Sequence, residues 1–298
     1  MQLHQLSYVV AVAEERHFTR AAVRLHLAQP SLSRQIRLLE RELGVVLFNR
    51  GPGQGLVTLT ADGEALLPFV RRVLADVEAI GAESRALTGM ARGRLSIGAT
   101  PSLITHVLAP ALVQFHASYP GIEFMLVEAG SRQLIGQLAS GEVDLALVVL
   151  PITDPGVATT PLFDDPLVLA VAPDHPLANR RRVRVADLDG LPLIMFREGY
   201  DLRAVTLAAC REAGVTPRLV SQGGEMDGVL AMVAAGLGAA VVPAIALPAE
   251  RALAAVPFAH PGLSRTVALA HRADRPIPRA ALALAAQLGG SLDLPSPS

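Results

Sequence analysis

The first 44 residues carry apolar positions at helical spacing in three successive groups. These positions are Leu6, Val9, Val10 and Ala13, then Phe18, Ala21, Ala22 and Leu25, then Leu32, Ile36, Leu39 and Leu43. Spacing of three and four predicts amphipathic helices. Thr19 is placed to cap the second helix, Pro30 suits the first turn of the third, and Gly44 ends it. Short helices joined by a tight connection at 26–29 predict a helix-turn-helix.

Two short strand-like runs follow, at residues 45–48 and 56–60. The segment between them contains Pro52 and three glycines, which favour a turn. Apolar runs on both sides of such a turn predict a β-hairpin. Because it follows a helix-turn-helix, we expect it to form a wing, and residues 1–60 to form a winged helix-turn-helix domain.

Residues 61–89 are predicted to form one long helix with a heptad seam. The seam consists of Leu66, Val70, Val73, Val77, Ile80, Ser84 and Leu87. Spacing that alternates between four and three residues is typical of a coiled coil. A small winged domain cannot cover a seam of this length, so we expect a second copy of the chain to do so. The alternative is a linker helix that packs within its own chain.

Beyond residue 90, strand-like runs alternate with helical spacing. Strands are predicted at 95–98, 123–128, 143–150, 166–172, 193–196, 218–221, 239–242 and 266–270. Helices are predicted at 103–116, 133–139, 202–213, 226–235 and 279–288. This alternation predicts an α/β fold with a largely parallel sheet. Crossing connections at 151–162 and 258–265 divide it into lobe I, about 90–161 and 266–298, and lobe II, about 162–265.

One uncharged run, 229–249, is long enough to span a membrane. Glycines and prolines interrupt it, including Gly236, Gly238 and Pro243, so we predict a buried helix, a turn and a strand instead. We therefore expect no membrane association. The N-terminus has no basic segment followed by an apolar one, which leads us to expect no signal peptide and a cytoplasmic protein.

The distribution of charged, cysteine and histidine residues indicates which partners and which kinds of site the chain has. All 26 basic side chains are arginine, and residues 1–60 carry seven of them against four glutamates. A basic N-terminal region on an acidic remainder favours a polyanionic partner. Cys210 is the single cysteine, which rules out an internal disulfide, and the eight histidines show no metal-ligand spacing. We expect neither a metal nor a cofactor.

The segment 18–37, FTRAAVRLHLAQPSLSRQIR, followed by LLERELG, LFNR and LTADGEALL, resembles the signature of the LysR family of transcription regulators. Weaker matches continue at 141–146, 175–177 and 236–243. The resemblance implies a winged helix-turn-helix, a dimerising helix and an effector domain at 90–298 similar to type 2 periplasmic binding proteins. It also implies double-stranded DNA and a small-molecule effector as partners, and a homodimer or homotetramer. The wing departs from the family pattern, since it is longer and has Gln54 where a basic residue is common.

The third predicted helix has a polar face suited to DNA. A recognition helix presents its N-terminal residues to base edges, where Arg pairs with guanine and Gln with adenine. The resemblance suggests that Ser33 contacts a phosphate, and Arg50 is the main basic group left in the wing. The predicted DNA-binding residues are Thr19, Gln29, Pro30, Ser31, Ser33, Arg34, Arg37 and Arg50. The alternative is a solvated helix face.

Loops that follow strands carry the candidate effector contacts. The predicted effector-binding residues are Thr100, Pro101, Ser102 and Ser131 on one lobe, and Arg197 and Tyr200 on the other. Helix N-termini and an arginine favour a small organic anion as the ligand between the lobes. We expect its binding to shift the arrangement of the lobes and thereby change DNA binding. The alternative is that the hydroxyls are helix caps and that Arg197 is solvated.

Two other classes of protein fit less well. The sequence does not support an α/β enzyme, because no nucleotide-binding, metalloprotease or serine-hydrolase motif occurs in it. We therefore expect no catalytic residues. Asp164-Asp165 is interpreted as a loop turn rather than an acid–base pair. A solute-binding receptor with an extra N-terminal module is disfavoured by the helix-turn-helix.

Cys210 lies in a predicted helix that resembles the region carrying the second cysteine of peroxide-sensing family members. Asp201 stands at the place of their first cysteine. A chain with one thiol cannot form an internal bridge, so we expect peroxide not to switch this protein through a disulfide.

Overall fold

The computed structural model describes residues 1–50, 57–87, 93–247 and 253–290. They form two compact units: one comprises Met1–Ser84 with Ala139–Glu142, and the other comprises Arg85–Leu138 and the chain from Val143 onward.

The first unit begins with three helices packed around one core. These are α1 (Leu3–Glu15), α2 (Phe18–Arg24) and α3 (Gln29–Leu43). Leu32, Ile36 and Leu39 of α3 are fully buried, and Gly44 ends the helix with a left-handed φ of 74°. The predicted cap of α2 is wrong: His17 caps it, because its Nδ1 accepts a hydrogen bond from the backbone N–H of Thr19 at 3.1 Å.

The predicted hairpin is present, but its first strand begins at Phe48, so the prediction of a strand over 45–47 is wrong. Strand β1 (Phe48–Arg50) pairs antiparallel with β2 (Val57–Leu59). The buried carboxylate of Glu40 accepts a hydrogen bond from the Leu47 N–H at 2.9 Å, which ties α3 to the start of the hairpin. The wing turn, with Gln54, lies outside the described residues.

The predicted long helix is α4 (Ala61–Leu87), with Pro68 inside it. Val70 packs into the core of the first unit. The next three seam residues, Val73, Val77 and Ile80, are 40%, 41% and 71% exposed. Most of the described seam therefore lacks a cover within this unit; the side chains of Ser84 and Leu87 lie outside the described ones.

The second unit is α/β and its main sheet is mixed. The lobe I elements are β3 (Gly93–Ala99), β4 (Ile122–Glu128), β5 (Leu145–Val149), β11 (Ser264–Arg272), α5 (Pro101–Leu103), a π-helical turn (Ile104–Leu108), α6 (Ala109–Ser118), α7 (Ser131–Ser140) and α10 (Arg279–Gly290). β3 pairs in parallel with β4 and β5, as predicted. β11 pairs antiparallel with β5, so the prediction of a largely parallel sheet holds only for the first three strands.

Strand β6 (Val157–Val171) passes through both lobes and corrects the predicted crossing at 151–162. Its residues up to Pro166 pair with β11, and those from Leu167 onward pair with lobe II strands. Pro161 lies in this strand beside a register shift in β11, where a ladder tolerates proline.

Lobe II completes the second unit. Its elements are β7 (Pro192–Phe196), α8 (Asp201–Glu212), β8 (Arg218–Gly224), α9 (Met226–Ala234), β9 (Ala240–Pro243) and β10 (Ala254–Pro257). β7 and β8 are parallel, whereas β9 and β10 flank β6 antiparallel. The uncharged run contains the rest of α9 from Val229 onward, a turn at Gly236 with φ 80° and the fully buried β9, as predicted. Within the described ranges, no helix has both the length and the apolar character needed to cross a membrane.

Candidate functional site

Helix α3 presents an exposed polar face because its opposite face is held in the core. Leu32, Ile36 and Leu39 fix the helix in the core, and Arg34 and Arg37 on its other side are exposed. Six of the predicted DNA contacts are exposed: Thr19, Gln29, Pro30, Ser31, Arg34 and Arg37. Ser33 is 8% exposed, so its hydroxyl is poorly placed for the predicted phosphate contact. The side chain of Arg50 lies outside the described ones.

The arginines of α3 find no carboxylate within the part of the chain that the structure describes. Arg37 donates to the carbonyl and hydroxyl oxygens of Ser33, both at 3.3 Å, and Arg41 donates to the Arg37 carbonyl at 3.4 Å. An open groove of about 840 Å³ runs along this face. It is lined by Pro30, Arg34, Arg37, Glu40, Arg41, Gly44, Val45 and Val46. Guanidinium groups that are exposed and not paired with a carboxylate can bind phosphates or guanine edges.

A second candidate site is the cavity between the lobes, of about 420 Å³. Lobe I contributes Pro101, Ser102, Thr105, His106 and Glu128; lobe II contributes Glu225, Met226, Asp227, Leu230 and Ala246. Two of the six predicted effector residues, Pro101 and Ser102, are in this lining. The three carboxylates, Glu128, Glu225 and Asp227, were not among the predicted residues, because nothing in the local sequence pattern distinguishes them from solvated surface residues.

A buried ion pair lies behind the cavity wall. Arg265 of β11 stands opposite Asp165 of β6 in the strand register. The Arg265 Nε and Nη2 lie 2.9 and 2.8 Å from Asp165 Oδ2, and Nη2 also donates to Ser102 Oγ at 3.0 Å. Burial raises the pKa of Asp165, and the Arg265 charge opposes that rise. The interpretation of Asp164-Asp165 as a loop turn is therefore wrong.

Thr100 is buried just before α5 without acting as its side-chain cap. Its backbone carbonyl accepts the first bonds of the helix, from Leu103 and Ile104, both at 2.9 Å. Its Oγ1 has no hydrogen-bond partner among the described residues, and the same is true of Arg265 Nη1 and the Tyr200 hydroxyl. The capping alternative thus fails for Thr100.

Ser131 joins the two lobes instead of facing the cavity. Its hydroxyl and its backbone N–H donate to Asp201 Oδ2 at 2.7 and 3.2 Å, and its Oγ accepts from the Val149 N–H at 2.9 Å. Burial raises the pKa of Asp201, and these hydrogen bonds oppose the rise. Beside them a Cβ on Gly130 would lie 2.1 Å from the Gly199 carbonyl oxygen, so only glycine permits this approach.

Arg197 and Tyr200 are both held by neighbours on lobe II. Arg197 Nε donates to Glu225, and its guanidinium lies 5.6 Å from the centre of the Tyr200 ring. Tyr200 stacks on Phe196 and is 3% exposed. Burial, followed by the charge of Glu225, raises the pKa of Tyr200. The arginine predicted to bind an effector carboxylate is therefore already paired with a glutamate.

Cys210 lies on α8 and is buried, and burial raises the pKa of its thiol. A thiol held protonated reacts slowly with oxidants. Among the described residues, no group of three or more His, Cys, Asp or Glu is placed to hold a metal ion.

Comparisons with known proteins agree on the architecture. Residues 3–64 match the family described as bacterial regulatory helix-turn-helix protein, lysR family, and residues 88–293 match the LysR substrate binding domain. The DNA-binding transcriptional dual regulator OxyR of Escherichia coli K12 is 36% identical over 300 residues, which cover 98% of each chain.

Solved structures give the same result. A full-length OxyR from Pseudomonas aeruginosa with a cysteine-to-aspartate substitution is 33% identical, with a TM-score of 0.77, over 97% of this chain and 94% of the other. Full-length CbnR complexed with its target DNA is 27% identical, with a TM-score of 0.70 and 97% of each chain covered. This chain belongs to the LysR family of bacterial DNA-binding transcription regulators.

Proposed function

We propose that this regulator binds operator DNA through α3 and that a small molecule in the interlobe cavity changes that binding. The observation that carries the proposal is the exposed face of α3, where Arg34, Arg37 and Arg41 lack carboxylate partners among the described residues. A buried apolar face holds the helix rigid, so these cations are positioned before DNA arrives. The relative CbnR is described as a complex with target DNA, which supports this use of the fold.

The contacts divide into two kinds. Gln29, Ser31 and Arg34 lie in the N-terminal half of α3, the part that reaches base edges in a recognition helix, and Arg37 follows three residues after Arg34. Thr19 and Pro30 are exposed beside them and fit backbone contacts. Arg50 remains the predicted contact of the wing.

Dimerisation through α4 supplies the second DNA-binding face. The exposed residues Val73, Val77 and Ile80 continue the seam that begins at buried Val70, and a second copy of α4 would cover them. Paired domains read two half-sites, so the operator should be an inverted repeat. A tetramer remains a prediction from the family resemblance, and a cytoplasmic location remains a prediction from the N-terminal sequence.

The effector cavity is proposed to act by population shift between lobe arrangements. A ligand that contacts both walls stabilises one separation of the lobes and so one spacing of the paired DNA-binding domains. Two of the residues predicted to bind an organic anion already have partners, because Arg197 is paired with Glu225 and Ser131 with Asp201. The remaining argument for an anion is Ser102 together with the start of α5.

Binding to a duplex from upstream of its own or a neighbouring gene tests the proposal. The purified chain should bind this duplex more tightly than a random duplex of equal length, and both affinities should fall steeply as salt rises. Salt-independent binding, or none, would refute a role for the α3 arginines.

Peroxide sensing is the second candidate, because the relatives include proteins named as hydrogen peroxide-inducible genes activators. The buried Cys210 thiol and the Asp201 carboxylate argue against a thiol switch here. DNA binding should be equal before and after peroxide treatment in the wild-type protein and in the Cys210→Ser variant. A loss in the wild type alone would establish oxidation of Cys210 as the signal.

A further inference from the structure

The backbone of Leu47 is the point at which α3, the wing and α4 meet. Leu47 immediately precedes β1, and its side chain is 1% exposed. Its N–H donates to Glu40 Oε1 of α3 at 2.9 Å, and its carbonyl oxygen accepts from the Thr60 N–H, just before α4, at 3.0 Å. Both backbone polar groups of this buried residue are therefore held, one by α3 and the other by the start of the long helix.

The Thr60 side chain adds two further contacts at the same place. Its hydroxyl donates to the Val46 carbonyl oxygen and accepts a hydrogen bond from the Gly63 N–H at 3.0 Å. Acceptance from a free N–H of the first helical turn is the action of an N-cap. One hydroxyl thus caps α4 and ties its first turn to the residue before Leu47.

Gly63 allows α4 to pass close to the Leu47 backbone. A Cβ on Gly63 would lie 2.2 Å from the Leu47 carbonyl oxygen and 3.0 Å from Leu59 Cδ2. The carbonyl oxygen is a backbone atom that is already hydrogen-bonded to Thr60, so it cannot move aside as the end of a flexible side chain could. Any other residue at position 63 would therefore push the start of α4 away from the hairpin.

We propose that Glu40, Thr60 and Gly63 are positioning residues that fix the angle between α3 and α4 and so set the half-site spacing that the dimer accepts. This rests on the proposed dimerisation through α4. Apolar packing of Val70 also holds α4 to the first unit, but such packing is not directional. Hydrogen bonds and close backbone contact depend steeply on geometry, and they restrict the angle of the helix.

The length of α4 makes the preferred spacing sensitive to this joint. The seam residue Val77 lies 14 positions beyond Gly63, about 21 Å at a rise of about 1.5 Å per residue. A tilt of about ten degrees over that length moves α3 relative to the seam by about 4 Å, close to the rise of about 3.4 Å per base pair. A small change at the joint should therefore change the preferred spacing by about one base pair.

Duplexes that differ only in half-site spacing test the proposal on the full-length chain. The wild type first selects an inverted repeat from a random pool, and one base pair is then removed from or added to its centre. The wild type should bind the original spacing at least about tenfold more tightly than either altered duplex, because one base pair both shifts and rotates one half-site relative to the other.

Two variants of the joint should lose this preference. Thr60→Val and Gly63→Ala should reduce the tenfold ratio to below about threefold, or move the optimum to another spacing, because α3 is then free to change its angle to the seam. Base preference within each half-site should stay as in the wild type, because the exposed face of α3 is unaltered. A variant that is merely less stable would not show this combination.

Matched variants separate the contact from the charge and from glycine itself. Glu40→Ala and Glu40→Gln lose the same charge, but only glutamine keeps an acceptor for the Leu47 N–H, so only Glu40→Gln should keep the wild-type ratio between spacings. Gly136→Ala, in α7 where a Cβ would meet nothing within 4 Å, should also keep it.

An unchanged ratio in both Thr60→Val and Glu40→Ala overturns the proposal. An equal loss on every duplex, random ones included, also overturns it, since the residues would then support folding alone. Thr60→Val replaces only a hydroxyl by a methyl group, so it decides the matter if Gly63→Ala does not fold. A wild type that selects no inverted repeat would refute the proposed dimeric binding, and the role of the joint with it.

Discussion

The arginines of α3 and those beside the interlobe cavity are the same residue type in opposite situations. Arg34, Arg37 and Arg41 are exposed and contact at most their own helix within the described residues. Arg197 and Arg265 are each bonded to a carboxylate of the second unit. The arginines of α3 are therefore available to an external polyanion, whereas the two arginines beside the cavity are paired within the second unit, and carboxylates line that cavity.

The same contrast holds for apolar surface. In the first unit the seam of α4 is uncovered from Val73 to Ile80. In the second unit β6 is buried from Leu167 onward, and the charged pair of β6 and β11, Asp165 and Arg265, is closed off from solvent. Substitutions should accordingly affect partner binding in the first unit and folding in the second.

The largest effect is expected from Arg265→Met. Removal of one partner of a buried ion pair leaves Asp165 uncompensated and should lower the free energy of unfolding by about 3–5 kcal/mol. Urea unfolding of the full chain measures this. Arg218→Met, at an exposed position on β8, is the control and should change little. Equal stabilities of the two variants would mean that the pair does not hold the strands together.

Val73→Asp should dissociate the dimer. A second copy of α4 would bury this position. Burial of an unpaired carboxylate there should weaken the free energy of dimerisation by several kcal/mol, on the order of the cost of burying an ionised group. Sedimentation at micromolar concentration should show a dimer for the wild type and a monomer for the variant. Glu64→Gln, on the exposed first turn of α4, should remain dimeric. A monomeric wild type would refute the seam.

Arg34→Ala should weaken specific DNA binding by about 1–3 kcal/mol if the side chain reads a base. The reason is that a bidentate contact to guanine is lost while the helix remains folded. Fluorescence anisotropy with specific and random duplexes measures both affinities, and Arg218→Ala serves as the control. An equal loss on both duplexes would assign Arg34 to a phosphate.

The smallest effect concerns pH. Because the pKa of Asp201 is raised above its ordinary 3.8 in the folded state, the folded chain holds a proton more readily than the unfolded chain between 3.8 and that raised value. Stability therefore falls as pH rises through this window. Asp201→Asn should reduce the fall, whereas Glu198→Gln, an exposed neighbour, should not. Melting temperatures across the acid range decide this, and identical slopes would contradict the burial of Asp201.

The sequence predicted local features well and distant pairings poorly. Apolar spacing within one helix defined α3 and its exposed face, because such spacing directly reports which side is buried. The partners of Asp165 and Ser131 are 100 and 70 residues away in the chain, so no local pattern could reveal either contact. The cap of α2 was missed because His17, an uncommon capping residue, stands two positions before Thr19.

Selection of duplexes from a random pool tests the central claim most directly, since it needs no known operator. The account predicts that the wild-type chain enriches an inverted repeat whose half-sites lie about one helical turn apart, and that Arg34→Ala changes the preferred base at symmetrical positions. Enrichment of no sequence, or of the same sequence by both proteins, would contradict recognition of DNA through the arginines of α3.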